Sequence, residues 1–507
     1  MKITKMKKLN ILLLVLGLTC LASCKKYLDE PNKIQADIKT VEQLQALLDN
    51  VTGTDPDGYD SGVPFGYEGT NGTAIYSTDD TEIKPELYKN YPNAFSLTSL
   101  YYYTLDIDNI IGEASDPLWN NEFRKIFNAN VVLANADNVS GDVAMINRVK
   151  ADAYFVRAYS YWTLVNYYCL PYSQANLNEK GLPIKRTTDY AESLKRASLK
   201  ETYDFILSDV AQAQSLVNYN DVQAAMRWRV SKPALDAFLS RYYLFTGDYD
   251  KSVQHANSAL LSQTAKLVDF KTIPAGNPAT YSNPAATLTY SALNDYSPTR
   301  FFKWDEFYYT RFTWSTTQWN IPSTNLLSVY DQTNDLRFLL LMIPDGGRRF
   351  NVITPTTYRY TYFNDGGFLP SGPTIAEVLL NKAEALARKG EITTALETAN
   401  TLRTKRMKTY VALTANSPAD ALIQILQERR RELPFSFRWA DIRRFSVNET
   451  PGDDVTVTHT FYKMGIGSVD LNTIQTYTLP VKSLRYAVPI NGVEITAGQG
   501  QIEQNNY

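Results

Sequence analysis

Between Tyr296 and Trp319 the chain reads YSPTRFFKWDEFYYTRFTWSTTQW, ten aromatic rings in 24 residues and three of the protein's seven tryptophans. Aromatic faces pack on the C–H faces of sugar rings, while Asp, Asn and Arg fix hydroxyls by hydrogen bonds. The same rings also fill irregular cores. Trp304, Tyr308, Tyr309, Arg311, Trp314 and Trp319 carry polar handles and are the candidate ligand contacts. Phe301, Phe302, Phe307 and Phe312 lack one and are assigned to the core. Tyr76 and Asp79, within YSTDD, set a carboxylate beside an aromatic and join the candidates. Asp79, Asp80, Glu82, Asp305 and Glu306 include residue types that a glycosidase uses as acid and nucleophile, but no motif pairs them. His255 and His459 are the only histidines, which excludes a His-rich metal site and leaves a Ser-His-Asp triad unsupported. No glycine-rich phosphate loop occurs, and neither metal nor cofactor is expected.

These residues need a scaffold, and the scaffold is helical. Val41, Leu44, Leu47 and Leu48 recur at helical spacing, and helix dominates again from about Asn120. Tyr154, Ala158, Tyr161, Val165 and Tyr168 form one stripe, with Phe155, Tyr159 and Trp162 on the neighbouring face, as in a helix buried between others. Tyr203 to Val217 carries the next stripe. Two helix–turn–helix units then share one grammar. Leu235, Phe238, Leu239 and Tyr242 precede Gly247-Asp248 and a returning stripe through Val253, Ala256 and Leu260. Leu379, Ala383, Leu386 and Ala387 precede Gly390-Glu391 and Ile392, Ala395, Leu396, Ala399 and Leu402. Both resemble tetratricopeptide pairs, yet their turns lie 143 residues apart, so the repeats are interrupted. The aromatic stretch lies inside that interruption, together with Tyr358, Tyr360 and Tyr362, which alternate as in a strand. Residues 52–103 read as long irregular loops, and 453–490 as short strands and irregular packing. In QERRRELPFSFRWADIRRF, residues 427–445, six arginines are interleaved with Glu428, Glu432 and Asp441, which points to ion-paired scaffolding over anion binding.

Composition narrows the class. With 44% hydrophobic and 21% charged residues the chain folds around a core, and a net charge of -2 gives no footprint for nucleic acid. Thirty-five tyrosines against 21 phenylalanines suggest a large wet surface for ligand or partner. Lys2, Lys5, Lys7 and Lys8, the apolar run from Ile11 to Leu18, and Leu21-Ala22-Ser23-Cys24 form a leader resembling the bacterial lipobox, with cleavage before Cys24 and lipid on its thiol. Loss of those four lysines moves the charge from -2 to -6. Acyl chains there make a stable membrane anchor, and Cys169 is left without a partner for a disulfide.

Read in order, the chain resembles the SusD/RagB family of Bacteroidetes outer-membrane lipoproteins. The resemblance rests on the lipobox with KKYLDEP, RAYSYWTLVNYYCLPY at 157–172, YDFILSDVAQAQ at 203–214, and SKPALDAFLSRYYLFTGDYDKSVQHANSAL at 231–260. It continues through EVLLNKAEALARKGEITTALETANTLRTKR at 377–406, RRREL…RWADIRRF, and YAVPI…IEQNNY. The chain departs from the family pattern at Ser436-Phe437, where Glu-Gly is usual, and at Pro489-Ile490-Asn491 and Gln504 to Tyr507 near its end. The resemblance implies an all-α fold, a tetratricopeptide-like helix-pair superhelix with large loop-rich, partly irregular insertions and a few short strands. The expected organisation is a signal peptide at 1–23, a lipidated tether at 24–35 and one domain at 36–507. Within that domain, 36–265 and 371–507 flank an aromatic-rich insertion at 266–370. The implied role is a non-catalytic surface protein that captures nutrients, often oligosaccharides, and passes them to a SusC-like TonB-dependent transporter; the alternatives are a surface lipoprotein glycosidase and a pure protein-interaction module. The family transfers no ligand-contacting residue to a numbered position here.

Overall fold

The computed structural model describes residues 38–49, 65–68, 72–220, 222, 226–273, 304–314, 320–343, 358–360, 362 and 368–507. Among them are seventeen α-helices and nine strands, so the all-α expectation holds. The helices that position the site are α1 (Val41–Leu48), α2 (Leu97–Thr104), α3 (Pro117–Asn135), α4 (Val143–Tyr168), α5 (Leu199–Leu216), α6 (Lys232–Thr246) and α7 (Tyr249–Leu260). They continue with α8 (Thr324–Ser328), α9 (Ile375–Arg388), α10 (Ile392–Arg403), α11 (Pro418–Glu432) and α12 (Arg438–Phe445).

Local chemistry starts most of them. Thr40 and Gln43 close a capping box on α1, and Ser198 and Glu201 close another on α5. Asp116, Asp142, Ser231, Asp248 and Ser417 accept backbone N–H groups at the starts of α3, α4, α6, α7 and α11. Gly247 and Gly390, at φ of 82° and 85°, make the left-handed turns that end the first helix of each pair. Across the long interruption the two pairs still stack, α7 lying against α9. Ala256, Ala383, Ala395 and Ala399 are fully buried, which lets the helix backbones approach. α3 and α5 each pack on α4 as the preceding layer. One apolar core connects residues from Val41 to Ile502.

The strands are β1 (Tyr67–Glu68), β2 (Lys180–Pro183), β3 (Arg196–Ser198), β4 (Phe312–Trp314), β5 (Met342–Ile343), β6 (Arg359–Tyr360), β7 (Phe368–Pro370), β8 (Val457–Gly465) and β9 (Ser468–Leu479). β4 runs parallel to β1 and antiparallel to β7, tying the insertion to the N-terminal half, and β5 pairs antiparallel with β6. β2 pairs with β3, and β8 with β9. Two expectations are corrected here. The C-terminal stretch holds one long hairpin, closed at Gly465 and Ser468 with Gly467 at φ 64°. Residues 73–76, 85–90 and 97–104 are helical, because Pro85 and Ser96 start turns that buried Tyr88, Leu100 and Tyr103 then hold.

The arginine-rich segment is scaffolding. Arg429 pairs with Asp441 at 2.8 Å, Arg431 with Glu428 at 2.7 Å, and Arg444 with both Glu384 and Asp441. Arg443 meets no carboxylate; its guanidinium donates to the carbonyls of Asn166, Cys169 and Tyr486 and so caps the C-terminus of α4. Phe437 lies under the Arg241 guanidinium at 4.9 Å, and Ser436 Oγ donates to the Pro370 carbonyl at 2.9 Å. The departure at these two positions therefore serves to join the arginine segment to the end of the insertion.

Candidate functional site

The aromatic stretch enters the core. Tyr308, Tyr309, Arg311 and Phe312 are buried, and Trp304 is 7% exposed. Tyr308 Oη donates to the Ala259 carbonyl at 2.9 Å, while Tyr309 stands edge-on to Phe155 at 4.6 Å and carries the Arg311 guanidinium over its ring at 4.2 Å. Trp304 sits edge-on to Tyr362, and its carbonyl accepts from Arg227. Residues 371–374 close over the strip, with the N–H groups of Ser371 and Gly372 donating to the Arg311 carbonyl at 3.0 Å. Gly372 permits this, since a Cβ there would meet the Tyr309 carbonyl oxygen. Tyr76 is buried as well.

The expectation that Trp304, Tyr308, Tyr309, Arg311 and Tyr76 face a ligand is thus corrected. The tips of Tyr308, Tyr309 and Arg311 meet groups inside the protein, Trp304 and Tyr76 are buried with them, and a polar handle is no mark of exposure once a partner is in reach. The same holds for the tyrosine excess: Tyr159, Tyr161 and Tyr242 are buried and donate to the carbonyls of Ser371, Pro183 and Tyr203. Phe307 and Phe312 are core, as assigned. The ring of Trp314, together with Trp319, Phe301, Phe302 and Cys24, lies outside the described residues.

Asp79 stands elsewhere, on the wall of a cleft of about 600 Å³ formed by residues 79–85, the start of α8 and residues 454–460. Its carboxylate takes a bidentate pair from Arg438, at 2.7 and 2.8 Å, and a contact from Arg430 at 3.1 Å. Burial raises the Asp79 pKa, but the Arg438 and Arg430 charges outweigh it and hold the carboxyl well below the usual carboxylate range. Asp80, fully buried, meets Arg430 Nε at 2.8 Å and the Phe435 N–H at 2.9 Å, and burial pushes its pKa upward. Ser323 N donates to the Asp80 carbonyl at 2.7 Å, and Glu82 accepts from the N–H and hydroxyl of Thr324 at 3.0 and 2.8 Å. Beneath the cleft His459 stacks on Tyr103 at 4.0 Å, its ring nitrogens facing the carbonyls of Tyr103 and Thr78 at 2.6 and 2.9 Å. Burial pushes the His459 imidazole below its ordinary value.

The opposite wall follows strand periodicity. Val457, His459 and Phe461 point inward, so Thr458 and Thr460 are exposed, and with Thr456 they line the cleft. Their hydroxyls, the Asn325 amide N–H₂, Lys84 and Asp454 have no hydrogen-bonding partner among the described residues. Asp454 is shifted upward by burial and by Asp453 beside it. The cleft therefore offers hydroxyl and amide groups, flanked by single charges of both signs, to a ligand rich in hydroxyls. The alternation in V-T-H-T-F-Y, with polar residues facing out, was the available signal for this wall. No group of three or more His, Cys, Asp or Glu placed to hold a metal occurs among the described residues. Four of the five carboxylates that suited a glycosidase are engaged, Asp79 and Asp80 by arginines, Glu82 by Thr324 and Glu306 by Arg406 at 2.7 Å, while Asp305 is exposed, 4.0 Å from Arg227.

Comparison with known proteins agrees with this architecture. Residues 26–244 match a SusD-like family described as starch-binding and associating with the outer membrane, and residues 375–507 match the SusD family. A SusD-like protein P2 of Formosa agariphila is 24% identical over 398 residues, covering 69% of this chain and 75% of that protein. The crystal structure of a SusD superfamily protein from Bacteroides thetaiotaomicron superposes with a TM-score of 0.62 at 20% identity, covering 92% of this chain and 100% of the other. A laminarin-binding SusD-like protein gives 0.55 at 17% identity, covering 92% and 99%. At these identities the structural likeness is one of fold. Two family matches spanning most of the sequence, on a helix-pair scaffold that the solved relatives share, place the chain in the SusD/RagB family.

Proposed function

We propose that this protein is a non-catalytic, lipid-anchored binder at the outer membrane that captures oligosaccharides and hands them to a SusC-like TonB-dependent transporter. The observation that carries the reading is the cleft at Asp79, where hydroxyls of Thr456, Thr458 and Thr460 face a loop segment that Arg430 and Arg438 hold rigid. Pre-organised hydrogen-bonding groups select a polyhydroxylated ligand without paying the ordering entropy of a loop. The description of the matching family as starch-binding, and the laminarin-binding relative, support a glucan as the first ligand to try. Trp314 and Trp319 remain candidate stacking residues on sequence grounds, and Cys24 the candidate anchor.

Titration calorimetry with laminarin and starch oligosaccharides tests the site. The double variant Thr458→Val, Thr460→Val, both at exposed positions, is expected to bind about 10-fold more weakly, as the loss of two modest hydrogen bonds implies. Unchanged affinity would remove the cleft from consideration, and reducing ends appearing in the mixture would contradict the non-catalytic reading. Cys24→Ser is expected to shift the protein out of the membrane fraction. Co-purification of a barrel-sized membrane protein with the native protein tests the transporter partnership.

A further inference from the structure

The segment 447–456 borders two clefts. Residues 454–456 line the one just described, and residues 447–450 line a second, of about 690 Å³. Its other walls are residues 170–176 after α4, the α6–α7 turn, and residues 482–484. The charges on this second cleft are cancelled from within. Arg388 is committed to Glu384 and Asp453 at 2.8 and 2.6 Å, and Arg444 to Glu384 and Asp441. Lys482 and Glu449 are exposed and of opposite sign. No buried guanidinium is thus left to recognise a phosphate or a carboxylate.

Neutral groups are left over instead. The hydroxyls of Tyr172, Ser173 and Tyr249 and the amide of Gln174 have no hydrogen-bonding partner among the described residues. The Tyr172 and Tyr249 rings are half-buried, the first packed on Tyr203 at 4.7 Å and the second against the core with the Arg388 guanidinium over one face at 5.9 Å, so each ring is fixed while part of it meets solvent. Fixed aromatic faces beside free hydroxyls and an amide, in a cavity without net charge, suit an uncharged polyhydroxylated ligand.

From this geometry we infer that the second cleft, lined by Tyr172, Ser173, Gln174 and Tyr249, binds an uncharged oligosaccharide and forms a second subsite for long chains. Thr450 on one cleft and Asp454 on the other are four positions apart, at most about 14 Å of backbone. A single long oligosaccharide crossing that segment would engage both clefts, the second contact being intramolecular and therefore strengthened by a high effective concentration. The inference rests on the carbohydrate reading of the first cleft, and the two are separable.

The test compares the full chain with two double variants, Gln174→Ala, Tyr249→Phe in the second cleft and Thr458→Val, Thr460→Val in the first. Tyr249→Phe keeps the ring and its packing, and an unchanged melting temperature confirms folding. The probes are long oligosaccharides from laminarin and from starch, with affinity read by calorimetry. Both variants are expected to weaken the long oligosaccharide that binds, by about 10-fold each. Weakening by the first-cleft variant alone overturns this inference and leaves the proposed function standing. Weakening by the second-cleft variant alone removes the first cleft and overturns the pairing of two subsites. No binding of either oligosaccharide, or binding that neither variant changes, overturns both.

Discussion

Asp152 gives a direct test of the packing derived above. It lies on α4 and is 3% exposed; Oδ1 accepts the Val230 N–H at 2.7 Å, and Oδ2 has no hydrogen-bonding partner. The neighbouring Arg229 is spent on Asp49, with Nε at 3.1 Å. Burial pushes the Asp152 carboxyl up to about 7, against the pull of the Val230 N–H and the Arg229 charge. A carboxyl that holds its proton more tightly when folded stabilises the fold below its unfolded pKa and loses that advantage as pH rises through the folded one. With an unfolded value of about 3.9 and roughly 1.4 kcal/mol per unit, the full loss is about 4 kcal/mol, and about 2.5 kcal/mol of it falls between pH 5 and pH 8. Asp152→Asn cannot ionise and retains an acceptor for Val230. Its new N–H₂ adds an offset that does not depend on pH. Urea titrations of both proteins should show the variant gaining about 2.5 kcal/mol on the wild type from pH 5 to pH 8. A difference that stays flat to within about 0.5 kcal/mol would mean that Asp152 is ionised throughout, and would refute the argument.

Two more substitutions test the frame of the site. Arg438→Met leaves the partly buried Asp79 carboxylate with only the 3.1 Å ion pair to Arg430, and is expected to cost about 2 kcal/mol in urea unfolding. Adding Asp79→Leu should recover much of that cost, because the stranded charge goes with it. Gly247→Ala and Gly372→Ala separate two uses of glycine. At Gly247, φ is 82° and a Cβ meets open space, so the cost is backbone strain of about 1 kcal/mol. At Gly372 a Cβ would meet the carbonyl of Tyr309, so the melting temperature should fall much further and the aromatic strip lose its cover.

What was legible in the sequence was what local chemistry decides. Ser231, Pro233 and Gly247 mark the limits of α6, and the alternation of apolar residues gives α4 its burial on most faces. Interleaved signs in 427–445 identified ion-paired scaffolding, and the structure pairs Arg429, Arg430, Arg431, Arg438 and Arg444 with carboxylates. The aromatic stretch was misread because its outcome depends on partners far away in sequence. Tyr308 reaches Ala259, and Arg311 lies beneath Gly372, contacts that no window around residue 308 contains. Asp79 was legible as a candidate because YSTDD sets a carboxylate beside an aromatic; the guanidinium that holds it lies 359 residues away.

That separation bears on how the family signature relates to ligand choice. The six arginines of 427–445 divide by what they touch. Arg429 and Arg444 lock α9, α11 and α12 together through Asp441 and Glu384, and Arg443 caps α4. Arg430 and Arg438 reach across the molecule to Asp79 and Asp80 and fix the wall of the cleft. None of the six lines the cleft itself, whose free groups come from β8, the preceding loop and the start of α8. The signature therefore builds the geometry of a binding cleft without contributing the atoms that would read the ligand. Substitutions at Thr456, Thr458 and Thr460 should alter what is bound at little cost to the fold, whereas substitutions at Arg430, at Arg438 and at Asn325, whose Oδ1 accepts from Arg430 at 2.6 Å, should alter the fold first and binding as its consequence.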